Sequence, residues 1–364
     1  MITRSPIVAA LLCAVASSAA GAAQLSATSA TVSSVFTQAA SGDTIKLVGD
    51  FGQVRLKNRS FAQTLTIDAS AASFSDVLMF TNISNVTVLG GSYGSTSHLV
   101  AYNKGIYVIG GESVSFINPV VTGFYYGTGL AASGTTRLNV TGGTFYKLHA
   151  GIVLDHVTTA SLTNNRSINA VGDGIDIANS SDVVASGNSC TGSTPLIGTH
   201  PDCIQLWSSP GMAPQTNITL RDNYASGTTQ GFTNFGSNGI GSSNISMINN
   251  HVDGLMSQGV ACYLCTNSLF QGNVLTSLDG ASHRVNLNII NGSSDTVIGN
   301  MIGAFNRALA QDTLYYSRDQ LISGDTSAPL RTAIVPEPSS WALMIAGFVL
   351  VGAARRLRAA SVVN

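Results

Sequence analysis

The chain has 364 residues, a net charge of −1 and only 10% charged side chains. That balance excludes a basic footprint for nucleic acid and an acidic tail. Glycine is abundant, at 38 residues, and with frequent Ser, Thr and Asn it favours short strands and turns over helices.

Residues 1–23 read as a secretory signal. Arg4 supplies the positive start, Ile7 to Ala16 the apolar stretch, and Ala20-Gly21-Ala22-Ala23 the small-residue cleavage region. Export removes Cys13 and leaves the other cysteines in an oxidising compartment. Next, Val32, Val35, Phe36 and Ala39 recur at helical spacing within residues 27–40. Ser41-Gly42-Asp43-Thr44 then turns into the strand Ile45-Lys46-Leu47. This order resembles the start of many right-handed parallel β-helices, where a short helix covers the open edge of the first coil.

From residue 84 one segment type recurs. It reads Ser84-Asn85-Val86-Thr87-Val88, then Glu112-Ser113-Val114-Ser115-Phe116, and continues through Ser181-Asp182-Val183-Val184-Ala185 to Ser293-Ser294-Asp295-Thr296-Val297. Spacings of about 22 to 35 residues are solenoid spacings. Each segment alternates with period two and is too short to bury its own apolar face, so it must stack on copies of itself. Asn165, Asn188, Asn223, Asn250, Asn273 and Asn300 follow these strands. In register they form a ladder of hydrogen bonds at turns, where Asn also tolerates left-handed backbone.

A second strand precedes each of these, as in Gly151-Ile152-Val153-Leu154, Gly174-Ile175-Asp176-Ile177 and Cys203-Ile204-Gln205-Leu206. Its middle residue points outward, which gives the stack Tyr107, Ala131, Val153, Asp176, Gln205, Thr233, Ala261. Residues 24–303 are therefore expected to form one domain, all-β, a single-stranded right-handed parallel β-helix solenoid with an N-terminal capping helix. Residues 304–334 read as a C-terminal cover and linker.

Stacking residues 174–177 against 203–206 puts Asp173 beneath Asp202 and Asp176 beneath Gln205, with coils about 4.8 Å apart. The coil before adds Lys147, His149 and Asp155 to the same side, and the long insert 191–202 leads into His200. Carboxylates this close repel, so one has a raised pKa or a cation sits between them. The first option gives a general acid beside a general base, as glycoside hydrolysis requires. The second gives a calcium site on Asp173 and Asp202, and β-elimination from a uronic acid with Lys147, Arg166 or His200 as base. The plainer alternative is that the aspartates cap turns. Asp173, Asp176, Asp202 and His200 are the catalytic candidates. Gln205, Trp207, Lys147, His149 and Arg166 are the substrate-binding ones. Trp207 either stacks on a sugar ring or covers the core edge.

Gly-Asp-Gly-Ile-Asp-Ile at 172–177 followed by His-Pro-Asp-Cys-Ile-Gln-Leu at 200–206 resembles the polygalacturonase-type hydrolases of the pectate-lyase-like superfamily. Asp173 and Asp202 match two of that family's catalytic aspartates. Pro201 stands where the family has its acid, and Thr229-Gln230-Gly231 where it has Gly-His-Gly. The resemblance implies the fold, the face and a saccharide cleft, but not the whole mechanism.

Cys190 and Cys203 bracket the insert, and a disulfide there would tie down the loop that carries His200. Cys262 and Cys265 stand either as a local bridge or as two free thiols, since no βαβ pattern suggests redox work.

At the C-terminus Pro336-Glu337-Pro338 precedes an apolar run, expected to be helical, and then Arg355, Arg356 and Arg358. Residues 335–358 resemble the PEP-CTERM sorting signal of Gram-negative bacteria. The resemblance implies recognition by an exosortase-type protease, transient membrane contact through residues 341–354, and cytoplasmic arginines. A permanent anchor is the alternative. Taken together, these features lead to two expected functions. One is an exported, carbohydrate-active or carbohydrate-binding protein of the envelope, outer surface or matrix, acting on an extracellular polysaccharide, either an acidic one or one of the matrix. The other is a non-catalytic rod of that matrix.

Overall fold

The computed structural model describes residues 21–94, 104–123, 125–196, 199–236, 239–281 and 283–303, and the short strand Tyr315–Tyr316. Residues 1–20 of the secretory segment, the expected cover and linker apart from Tyr315–Tyr316, the sorting signal and its apolar run lie outside the described residues. Among those described, no helix is long and apolar enough to cross a membrane.

Alternation of small or polar with β-branched and aromatic residues dictates short strands, and the strands wind into a parallel β-solenoid of about 11 turns. Each coil contributes up to three strands, and equivalent strands pair in parallel from coil to coil. The first stack includes Lys104–Ile109, Thr128–Ser133, Ala150–Asp155, Ile175–Ala178, Asp202–Trp207, Gln230–Asn234, Gln258–Tyr263 and Asn286–Ile290. The second stack holds the recurrent segments, from Glu112–Ile117 through Ser181–Ser186 to Ser242–Ile248. The third stack is shorter and includes Thr144–Tyr146, Arg166–Ile168, Ser189–Thr191 and Tyr224–Gly227. Inward side chains such as Ile152, Leu154, Ile177, Val183 and Leu206 form one continuous buried core.

The helix Val32–Gln38 closes the first coils, burying Val32 and Phe36. The Phe36 ring meets Phe61 edge-on at 5.8 Å. The Arg59 guanidinium donates to the Phe36, Thr37 and Ala39 carbonyls, so a cation neutralises the negative end of the helix.

The asparagine ladder runs unbroken from Asn165 to Asn300. Each Nδ2 donates to the Oδ1 of the next rung, at 3.0 Å from Asn165 to Asn188 and from Asn188 to Asn223. The same Oδ1 accepts the backbone N–H of the rung before it. The rungs do not adopt left-handed backbone, as their residue type alone suggests they would. The residue before each one does: Asn164, Gly187, Asp222, Asn249, Gly272 and Gly299 all have positive φ. The preceding residue makes the turn, and the rung is left extended with its amide aimed along the solenoid axis.

Candidate functional site: a buried acid cluster

In the first stack the register skips one residue per coil. Thr128 pairs with Ala150 and Leu130 with Ile152, while Gly129 and Gly151 stay unpaired. A Cβ on Gly151 would stand 2.4 Å from the carbonyl oxygen of Gly174, so the backbones approach here only because the residue is glycine. The bend changes the alternation. The residue before the glycine and the residue two after it emerge side by side on the outer face. This is why Asp173 and Asp176, or Asp202 and Gln205, meet although they are three apart in sequence.

In the site coil the bend position is Cys203, bonded to Cys190. A Cβ on Gly174, one coil earlier, would lie 2.5 Å from Cys190 Sγ, so Gly174 makes the room this bond needs. A second disulfide joins Cys262 to Cys265. Thiol labelling of the denatured, unreduced, exported protein is expected to find no free cysteine, and two or more labels would exclude this pairing. Removing the Cys190–Cys203 bond is expected to destabilise by about 3 kcal/mol, because its loss frees a short loop in the unfolded chain.

The outward register is Val153, Asp176, Gln205, Thr233, Ala261, Asn288, one residue per coil. These side chains face out of the barrel, yet Asp176 is 5%, Gln205 2% and Thr233 0% exposed. The cluster is therefore recessed and is not the open patch that the alternation alone suggests. Asp173 Oδ1 accepts the backbone N–H of Asp202 at 2.7 Å, and Gln205 Nε2 donates to Asp202 Oδ2 at 2.6 Å. His200 Nδ1 stands 3.7 Å from the same Asp202 oxygen. Asp173 shares a hydrogen bond with Asp176, and Trp207 and Thr233 lie beside Asp176 and Asp202 respectively. Two carboxyl oxygens, Asp176 Oδ1 and Asp202 Oδ1, are buried and lack a well-formed hydrogen bond.

Three carboxyl groups this deep cannot all ionise. Burial, and then the charge of Asp202, push Asp173 up to about 6. Burial followed by the charge of Asp173 pushes Asp176 well above the carboxylate range. Burial also raises Asp202, against the pull of His200. His200 is itself raised by its approach to Asp202, against burial. Burial and mutual repulsion thus favour the protonated form within the cluster, most strongly at Asp176, while His200 pulls Asp202 back toward its ionised form.

The other candidates named from the sequence scatter. His149 is exposed, with its ring close to Gly172, and its charge lowers Asp173. Lys147 Nζ lies 5.1 Å from the Tyr146 ring centroid and 5.7 Å from that of Tyr125. The Tyr146 hydroxyl chiefly raises its pKa, which is the wrong direction for a base. Arg166 sits exposed on the third stack, in register with Thr144 and Ser189, on a different face from the acids. Asp155 bonds Asn179 and His156 and stays outside the cluster. Sequence spacing misplaces these residues because a few residues of turn separate one stack from the next. Phe235 and Tyr263 escape a reading by spacing. Phe235 just follows its strand and Tyr263 ends its own, as Trp207 does, and their rings meet edge-on at 5.4 Å. His200 packs against Phe235 at 6.1 Å.

Asp173 and Asp202 each commit an oxygen to an N–H donor, and among the described residues no group of three His, Cys, Asp or Glu side chains is placed to hold a metal ion.

Residues 335–359 match the PEP-CTERM protein-sorting motif, so the chain carries a signal for export, surface sorting and exosortase processing. No curated protein shows significant similarity in sequence to the chain. Among solved structures, the mannuronan C-5 epimerase AlgE6 A-module of Azotobacter vinelandii is similar at 13% identity and TM-score 0.44, covering 71% of this chain and 77% of that one. PfbA, a surface adhesin of Streptococcus pneumoniae, is similar at 11% identity and TM-score 0.46, covering 72% and 79%. A PL6 alginate lyase in complex with a trisaccharide is similar at 12% identity and TM-score 0.46, covering 77% and 79%. These likenesses transfer no residue roles; the coil-to-coil register defines the fold here.

Proposed function

We propose that this exported solenoid is a carbohydrate-active protein that cleaves a glycosidic bond by general acid–base catalysis at the Asp173/Asp176/Asp202/His200 cluster. One observation carries the reading: Asp176 Oδ1 and Asp202 Oδ1 are buried on adjoining coils and lack well-formed hydrogen bonds. Burying carboxyl groups in this state is costly, so a purely structural cluster is disfavoured. Environments that push neighbouring carboxyls apart in pKa divide the labour between acid and base. Asp176, held protonated, donates to the leaving oxygen. Asp202, oriented by Gln205 and balanced by His200, acts as nucleophile or activates water. Asp173 fixes the Asp202 backbone and shares the Asp176 proton.

Asp202→Asn keeps the shape and the Gln205 contact but removes the base, and is expected to lower turnover by about 10²- to 10⁴-fold. The check is release of reducing ends from a panel of neutral and uronate polysaccharides by the full-length protein, alongside absorbance of unsaturated products. Silence from both parent and variant favours the matrix rod. Unsaturated ends without hydrolysis favour elimination, with His200 as the remaining candidate base.

A further inference from the structure

The outer face changes character at the acid coil. Three outward positions repeat along the first stack: the residue before the bend, the residue two after the bend, and the residue two beyond that. On the N-terminal side the coil before the acids presents Ala150, Val153 and Asp155. On the C-terminal side the next coil presents Gln230, Thr233 and Phe235, and the one after it Gln258, Ala261 and Tyr263. The N-terminal flank is therefore aliphatic at its first two positions only in that coil, and the coils before it present Thr128 with Ala131 and Lys104 with Tyr107. The C-terminal flank is a row of amides and a hydroxyl, beside a row of aromatic rings that begins at Trp207.

The polar row is buried but incompletely satisfied. Gln230 is 8% exposed, and its Oε1 lacks a hydrogen bond. Gln258 Oε1 accepts from Asn288, and its Nε2 reaches the Tyr263 hydroxyl at 3.4 Å. Buried polar atoms are normally paired, so an unpaired amide oxygen beside a reactive cluster points to a ligand that pairs it. Among the described residues the row itself carries no lysine or arginine. Arg221 pairs with Asp222 on the second stack, Arg284 donates to the Ile302 and Gly303 carbonyls, and His251 pairs with Asp253 on the third stack.

We infer that the strip Gln205–Gln230–Thr233–Gln258, flanked by Trp207, Phe235 and Tyr263, is the binding site for the part of the glycan running from the acid cluster toward the C-terminal coils. Its chemistry selects neutral, hydroxyl-rich sugars over uronates. Amides and hydroxyls exchange hydrogen bonds with sugar hydroxyls, and aromatic rings cover the apolar faces of the sugars. A coil rise of about 4.8 Å offers one ring and one polar pair per sugar residue. A uronate carboxylate here would meet no lysine or arginine, and the His200 charge is already engaged by Asp202. It would also lie next to Asp202 and Asp173, which repel it. This inference rests on the saccharide reading above and departs from the acidic polysaccharide that the sequence offered as one option.

The test is calorimetric titration of the full-length protein with neutral hexasaccharides of glucose, fructose, galactose or mannose, and with hexagalacturonate and hexamannuronate. The expected result is binding of at least one neutral probe, with both acidic probes at least about tenfold weaker. Gln230→Met and Phe235→Leu should each weaken the neutral probe by about tenfold, as loss of one good contact does. Val153→Ala, on the opposite flank, should change it less than about twofold. Tyr263→Leu replaces either strip variant if its circular dichroism departs from the parent's. Tighter binding of an acidic probe overturns the inference and leaves the saccharide reading standing. Neutral binding indifferent to all strip variants overturns the placement. Absence of binding to every probe overturns both.

Discussion

At pH 8 the Asp176→Asn variant should melt above the parent, at pH 4 the two should melt together, and saccharide turnover should fall by about 10²-fold or more. The sign follows from the cluster. Asp176, Asp173 and Asp202 all have folded-state pKa values above the ordinary 3.8. The native state therefore holds protons more tightly than the unfolded chain, and stability falls as pH rises from near 4 through about 6 and beyond. His200 acts in the same direction. Its raised pKa gives stability that is fully present below the unfolded value and is lost as pH climbs through the folded one. One pKa unit corresponds to about 1.4 kcal/mol, so relieving part of the cluster should gain on the order of 1–3 kcal/mol at pH 8. At pH 4 the replaced acid is already protonated, and the amide is nearly isosteric with it. A variant that melts below the parent at pH 8 would show that the carboxyls are not in conflict. The expected pairing of higher stability with lost turnover is the mark of a site kept for chemistry.

Asn223→Leu should be among the most damaging single changes in the solenoid. The Asn223 Oδ1 accepts the backbone N–H and the Nδ2 of Asn188 at 2.9 and 3.0 Å. Its own Nδ2 donates to Asn250 Oδ1 at 2.9 Å and to the Ala185 carbonyl at 3.0 Å. Leucine would strand these buried partners together, each at about 1–3 kcal/mol, for a loss on the order of 4–6 kcal/mol. That corresponds to a drop of roughly 10 °C or more in Tm. Asn300→Leu, at the last rung, should cost clearly less, because Asn300 binds Asn273 and Phe270 but has no further rung above it among the described residues. Thermal melts of the two variants check this, and equal losses would show that the ladder is not cooperative.

Much of this architecture is legible in the residues. The period-two segments beginning near Ser84 and the asparagines after them announce coil, register and ladder, because stacking repeats one local environment many times. The juxtaposition of Asp176 with Gln205 follows from that register alone. The bend does not. Only the close approach of Gly151 to Gly174 shows why Asp173 and Asp176 share a face. The recession of Asp202 to 0% exposure is also hidden, because a period-two pattern gives direction and not depth. Arg166 is misplaced by spacing because a turn between stacks redirects a side chain in a way that linear distance from Asp173 does not reveal. Phe235 and Tyr263 carry a readable signal, one aromatic at or just past the end of each strand, but it emerges only once the strands are aligned.

The ladder also bears on how such a chain can lengthen or shorten. Every rung presents the same donors and acceptors to the winding above and the winding below. A duplicated or deleted winding would therefore meet a matching neighbour wherever it was spliced in. Beyond the acids, such an event would alter the length of the strip of amides and aromatic rings while leaving the acid cluster untouched.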